Sequence, residues 1–155
     1  MKKFAPQEIR TFFVTSVTWG RRSLFQTDRM ADLFFDVIRN SRKDYLLHEF
    51  VLMPNHFHLL VTPQPNISLE RAVQRIKGGF SFRAKRELKF NGEVWQAGFS
   101  EHRVVGCDDY QSHRDYIVRN PERAGLPRDY PHVSGKNGAF LDPPPPGLKP
   151  PSKTD

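Results

Sequence analysis

The segment with the most chemical content is His56-Phe57-His58, set immediately after the turn-forming pair Pro54-Asn55. Side chains alternate along a strand, so His56 and His58 share one face and Phe57 takes the other. Their Cα atoms are then about 7 Å apart, a span at which two imidazoles can share one metal ion. The same spacing also fits two half-buried histidines, and on its own it leaves both readings open. A second group lies in residues 108–120, where His113, Tyr116 and Asn120 recur at helical intervals and so share a face. A tyrosine hydroxyl is a nucleophile toward phosphorus, but with an ordinary pKa of about 10 it needs a metal or a base to activate it. Tyr110, His113 and Ile117 also form an amphipathic stripe that Tyr116 borders, which fits a packing role equally well.

These residues need elements to hold them. Residues 10–18 read as a strand, with Phe12, Phe13, Val14 and Val17 among threonines. Thr27 is placed to cap a helix whose Met30, Leu33, Phe34, Val37 and Ile38 repeat at helical spacing. Residues 45–53, almost all apolar, predict a central strand, joined through Pro54-Asn55 to a strand over 56–62. Ser68 caps a second helix with the stripe Leu69, Ala72, Val73, Ile76 and Phe80, and Gly78-Gly79 is expected to loosen or kink it. Residues 94–105 read as a fourth strand and Asp108 as the cap of a third helix reaching about Asn120. A short separate helical turn is expected over 121–126. The order β-α-β-β-α-β followed by a helix predicts an α+β, ferredoxin-like antiparallel sheet. Two helices cover one face, and the other is left for a site or for the additional C-terminal helix. This domain spans residues 1–130. Residues 131–155, with Pro143 to Pro146, Pro150 and Pro151, read as a proline-rich, flexible tail.

Charge points to the partner. Twenty-four Lys and Arg against 17 Asp and Glu leave a net charge of +7, which suits a polyanion. Arg71, Arg75, Lys77, Arg83, Lys85 and Arg86 concentrate on the second helix, and Trp19 and Trp95 offer platforms for base stacking. The single cysteine, Cys107, excludes an internal disulfide and fits a reducing cytoplasm. Neither a secretory signal nor a membrane span is expected, and a GxxxxGK[ST] phosphate loop is lacking.

Three segments occur in order: Met53-Pro54-Asn55-His56-Phe57-His58-Leu59-Leu60-Val61, then Val94-Trp95-Gln96-Ala97-Gly98-Phe99, then Tyr116-Ile117-Val118-Arg119-Asn120-Pro121-Glu122-Arg123-Ala124-Gly125-Leu126. Together they resemble the single-tyrosine HUH transposases of the IS200/IS605 type, and among these the relatives associated with repetitive extragenic palindromes. The resemblance covers roughly residues 10–130. It implies cleavage and rejoining of single-stranded DNA beside a hairpin through a 5′-phosphotyrosine intermediate. His56 and His58 would bind a divalent metal, Mg²⁺ or Mn²⁺, and Tyr116 would be the nucleophile. Both monomers and homodimers occur among such proteins. IS200-type enzymes place a glutamine metal ligand four residues after the tyrosine; here that position is Asn120. Asn120 can offer an amide oxygen, but Asn-Pro also suits the N-cap and first residue of a following helix. Glu101 and His102 stand as reserve ligands. The alternative to an enzyme is a non-catalytic, domesticated nucleic-acid-binding module of the same fold; the presence of His56, His58 and Tyr116 favours the enzyme.

Overall fold

The computed structural model describes residues 9–134, 136, 141–145 and 148. Its main elements are β1 (Thr11–Val17), α1 (Asp28–Asn40), β2 (Tyr45–Met53), β3 (His56–Pro63), α2 (Leu69–Glu87), β4 (Ser100–Val104) and α3 (Cys107–Arg123). The four strands form one sheet in the order β2-β3-β1-β4, with every neighbouring pair antiparallel. This is the expected α+β arrangement. Alternation along β3 divides the interior. Phe57, Leu59 and Val61 join a large core with α1 and α2, whereas Leu60 joins a smaller one with Val51, Met53, Tyr110 and Ile117 under α3. The helices therefore sandwich the sheet, α1 and α2 on one side and α3 on the other.

Four expectations need correcting. β2 is an edge strand, not a central one. It is apolar apart from His48 and Glu49 because both its faces are covered: Leu47, Phe50 and Leu52 belong to the large core, Val51 and Met53 to the small one. Its outer edge is also covered, by the segment after residue 130. Leu52 N–H donates to His132 O (2.8 Å), Ser134 N–H to Phe50 O (2.9 Å), and Asp142 N–H to Leu47 O (2.8 Å). The Asp142 carboxylate accepts from Leu47 N–H at 2.8 Å and pairs with Arg42. Val133 and Ser134 are buried. The described part of the expected tail thus seals a strand edge that would otherwise invite pairing with another chain; the rest of residues 131–155 lies outside the described residues.

The second correction concerns Gly78-Gly79, which do not interrupt α2. A Cβ on Gly79 would stand 3.2 Å from Val37 Cγ1, so the glycine lets α2 approach α1 closely. Third, the strand expected over 94–105 is divided. Trp95 makes an isolated bridge to Thr18, Gly98 turns the chain at φ +78°, and regular pairing begins only at Ser100. Trp95 is buried against Phe25, Phe57 and Phe80, with ring centroids 5.4–5.8 Å away. Fourth, α3 starts at Cys107 behind Gly106, with Asp108 in its first turn and not as its cap, and it does not stop at Asn120 but runs through Pro121 to Arg123. Pro121 forfeits one bond to Ile117 O, and the helix instead ends in a Schellman motif on Gly125 (φ +76°). There Gly125 N–H reaches Glu122 O (3.0 Å) and Leu126 N–H reaches Pro121 O (2.9 Å). Asn120 is therefore inside a helix and is not an N-cap.

Candidate active site

The turn before His56 is fastened by its neighbours. Phe25 N–H donates to Pro54 O (2.9 Å), and Thr18 N–H to Asn55 O (2.9 Å). β3 leaves this turn between β2 and β1, with His58 opposite Thr15 and Val51, and His56 opposite Val17 and Met53. The two imidazoles share the α3 side of the sheet, with ring centroids 4.8 Å apart at 75°. Phe57 points the other way and is fully buried against Phe34 and Trp95.

Hydrogen bonds constrain both rings. His56 Nδ1 lies 2.7 Å from Asn55 Oδ1, an acceptor, so Nδ1 carries the proton and Nε2 keeps its lone pair. His58 Nδ1 bonds Thr15 Oγ1 at 2.7 Å. His58 Nε2 is buried and has no hydrogen-bond partner among the described residues. A buried polar atom left in this state costs about 1–3 kcal/mol, which a ligand at Nε2 would offset. Burial, reinforced by His56, pushes His58 down to about 3. Burial and then Arg21 lower His56 as well. Both rings are consequently neutral at neutral pH, the form in which imidazole binds a metal. The donor set and the unsatisfied Nε2 fit a divalent ion.

α3 brings Tyr116 to this pair. Its ring centroid is 5.3 Å from that of His58, edge-on, and 5.8 Å from that of Phe13. The Arg123 guanidinium carbon lies 5.7 Å from the centre of the Tyr116 ring. Tyr116 is 40% exposed and so remains open to a large substrate. The other three tyrosines are occupied. Tyr45 is fully buried and bonded to Ser41; Tyr110 is buried beside His48, and its burial pushes it up to about 12; Tyr130 donates to Leu52 O. Asn120 follows Tyr116 by one helical turn on the same face and is buried.

The reserve ligands sit elsewhere. His102, opposite Phe13 on β4, stacks on His113 with centroids 4.7 Å apart. Glu101 alternates to the other face and lines a cleft with Ile9, Phe12 and Pro63. Two residues of the site were absent from the sequence-based candidates. Thr15 fixes the His58 ring. Phe13 contacts three site rings, His58 (5.1 Å), His113 (4.7 Å) and Tyr116 (5.8 Å). Alternation places Thr11, Phe13 and Thr15 on one face of β1, but only strand pairing shows that this face meets the histidines.

The proposed DNA-contacting residues divide into three kinds. Lys77 is buried, its Nζ bonded to Gln96 O (3.2 Å) and Gly98 O (2.6 Å), so it holds the 96–98 loop and is not available to a phosphate. Trp95 is likewise no stacking platform, since its indole N–H donates to Lys77 O. Arg75 pairs with Asp44 (3.0 Å), and Arg83 with Asp36 (2.6 Å) and Glu87 (2.5 Å). Arg71, Lys85 and Arg86 are exposed. All lie on α2, across the sheet from the histidine pair. No helix among the described residues is long and apolar enough to cross a membrane.

Comparison with known proteins bears out the fold and the family resemblance. The family model described as "Transposase IS200 like" matches residues 11–120. A REP-associated tyrosine transposase of Escherichia coli (strain K12) is 28% identical over 127 residues, covering 76% of this chain and 74% of its own length. The structure of a REP-associated tyrosine transposase bound to a REP hairpin superposes with a TM-score of 0.66 at 25% identity, covering 87% of this chain and 83% of that one. A protein of Deinococcus radiodurans R1 superposes with a TM-score of 0.51 at 17% identity, over 77% of this chain and 97% of that one, a likeness of fold alone.

Proposed function

The chain belongs to the IS200-like transposase family, and from that premise we propose that it cleaves and rejoins single-stranded DNA beside a hairpin, with Tyr116 as nucleophile. The observation that carries the reading is the meeting of an exposed tyrosine ring with a buried His58 ring, at 5.3 Å, beside a second imidazole at 4.8 Å. The hairpin-bound relative supports a DNA hairpin as partner.

His56 and His58 would hold a divalent ion, with the Asn120 amide oxygen as the proposed third donor. When bound, Mg²⁺ or Mn²⁺ supplies Lewis-acid stabilisation of the charge that develops on the scissile phosphate; two imidazoles favour Mn²⁺ over Mg²⁺. The Tyr116 hydroxyl oxygen forms a bond to phosphorus and loses its proton to solvent. The P–O3′ bond breaks, and O3′ leaves with the electron pair and takes up a proton. The product is a 5′-phosphotyrosine and a free 3′-OH. Because the phosphodiester character is retained, another 3′-OH can attack the same phosphorus and release Tyr116, joining a different strand without a nucleotide cofactor. Arg123, beside the Tyr116 ring, would neutralise the phosphate brought to it. The exposed Arg71, Lys85 and Arg86, on the opposite side of the sheet from the histidines, would contact the backbone only of DNA that extends beyond the cleavage site.

The test uses labelled hairpin-bearing single strands with Mn²⁺ or Mg²⁺, read on a denaturing gel. The parent should form an SDS-resistant protein–DNA band. Tyr116→Phe should bind DNA but form no band, and Tyr110→Phe should form it. A parent that binds the strand and yields no adduct with any metal or hairpin would favour the non-catalytic module.

A further inference from the structure

Away from the His56–His58 pair, three side chains of types that can ligate a metal meet at the start of α3. His102 comes from β4, and Asp109 and His113 from the first two turns of α3. One donor atom from each lies within 4.8 Å of the others. His102 Nε2 and Asp109 Oδ2 are 3.2 Å apart, as are His113 Nδ1 and Asp109 Oδ1; His113 Nδ1 also donates to Asp109 O at 2.8 Å, a proton that a bound ion would displace. Donors around a tetrahedral zinc ion stand about 3.4 Å from one another, given bonds of about 2.1 Å. We propose that His102, Asp109 and His113 form a binding site for a transition-metal dication of the zinc class, separate from the His56–His58 pair.

Three features support the assignment. The carboxylate is already oriented, because Asp109 Oδ2 accepts from Val105 N–H at 2.9 Å; fixed ligands of this kind bind metals more tightly than mobile ones. The cluster is open to solvent, the His102 side chain being 55% exposed, so an ion can enter and keep water in its remaining position. Two imidazoles with one carboxylate select zinc-class ions, whereas Mg²⁺ prefers oxygen donors. The two sites are neighbours but distinct. The Phe13 ring separates them, stacking on His58 at 5.1 Å and meeting His113 at 4.7 Å.

The site joins β4 to the helix that carries Tyr116, three residues beyond His113. A bound ion would clamp the start of α3 to the sheet. It would act on stability and on placement of the helix, and it takes no part in bond cleavage. Binding does not depend on Tyr116 being a nucleophile, so this proposal can fail or succeed independently of the strand-transfer reading.

The test is Zn²⁺ titration of the full chain by calorimetry, with thermal unfolding alongside. A His56→Ala/His58→Ala protein should still bind one equivalent of Zn²⁺, and its Tm should rise by roughly 5 °C or more at saturating ion. Mg²⁺ at the same concentration should give no such rise. Adding His102→Ala, an exposed position, should abolish both the binding and the shift. Zinc binding that survives His102→Ala, or is missing before it, overturns the proposal. If the double-histidine background does not fold, ¹⁵N spectra of the imidazoles in the parent serve instead. Zinc should then shift the His102 and His113 ring nitrogens, and unmoved rings overturn the proposal.

Discussion

Thr15→Val isolates the contribution of one hydroxyl to the histidine pair. The substitution keeps the β-branched shape that a strand favours and removes only the Thr15 Oγ1 bond to His58 Nδ1 at 2.7 Å. His58 Nε2 already lacks a partner among the described residues, so the substitution leaves the whole ring unsatisfied in a site 5% exposed. An orphaned polar atom of this kind costs about 1–3 kcal/mol. Partial solvent access at Thr15 places the expected loss near the middle, about 1.5 kcal/mol, or roughly 3–6 °C in Tm for a chain of this length. The ring also loses what orients it, so affinity for Mn²⁺ should fall about 10–100-fold. Urea unfolding measures the first effect and calorimetric Mn²⁺ titration the second. Thr15→Ser, which keeps the hydroxyl, should restore most of both. A Thr15→Val protein with parental stability and Mn²⁺ affinity within twofold of the parent would refute the argument that this bond holds His58 for a ligand.

The histidines also predict a pH dependence. His58 is pushed from an ordinary 6.5 to about 3 by burial, and His56 and His48 are lowered for the same first reason. A folded-state value below the unfolded one means the unfolded chain takes up protons first. Stability should therefore be full above about pH 6.5 and fall as the pH drops toward 3, by at most about 1.4 kcal/mol per pH unit for each such group. Metal-free denaturation curves should flatten in His58→Asn, and an unchanged slope would contradict the burial argument. Lys77→Met should lower Tm, because the 96–98 loop loses its tether, while the salt dependence of DNA binding stays parental; Arg71→Gln/Arg86→Gln should do the reverse, which the slope of log Kd against log salt measures. Ending the chain at residue 130 should uncover the edge of β2 and cause concentration-dependent association in ultracentrifugation, whereas a stable monomeric product would mean that the edge needs no cover.

Much of this architecture was legible because local and global signals agreed. Pro54-Asn55 between two apolar runs could only be a tight connection, and alternation then fixed the shared face of His56 and His58. Ser68 performs the capping its position announced, accepting from Arg71 N–H at 3.1 Å. The failures share one cause: a residue's local preference was overruled by something distant in sequence. β2 looked central because a strand covered on both faces reads the same at an edge, and the covering of its free side comes from residues some 80 positions away. Asn120 looked like a cap, yet packing under α3 and the Gly125 terminus extend the helix past Pro121. Lys77 was counted with the exposed cations because a lysine beside a stripe is usually solvated; the carbonyls that draw it inward belong to a loop 19–21 residues later. Thr15 and Phe13 became recognisable only from the register of β1 against β3.

The fastened turn before His56 has a thermodynamic consequence. With Pro54 O and Asn55 O both held by amides from the 18–25 segment, the first imidazole starts from a fixed point of the backbone. The loss of conformational entropy that a looser loop would incur on capturing an ion has then already occurred during folding. Metal association at the pair should consequently show a small entropic penalty and little change in heat capacity. The amides of Thr18 and Phe25 should exchange with deuterium as slowly in the metal-free protein as in the loaded one.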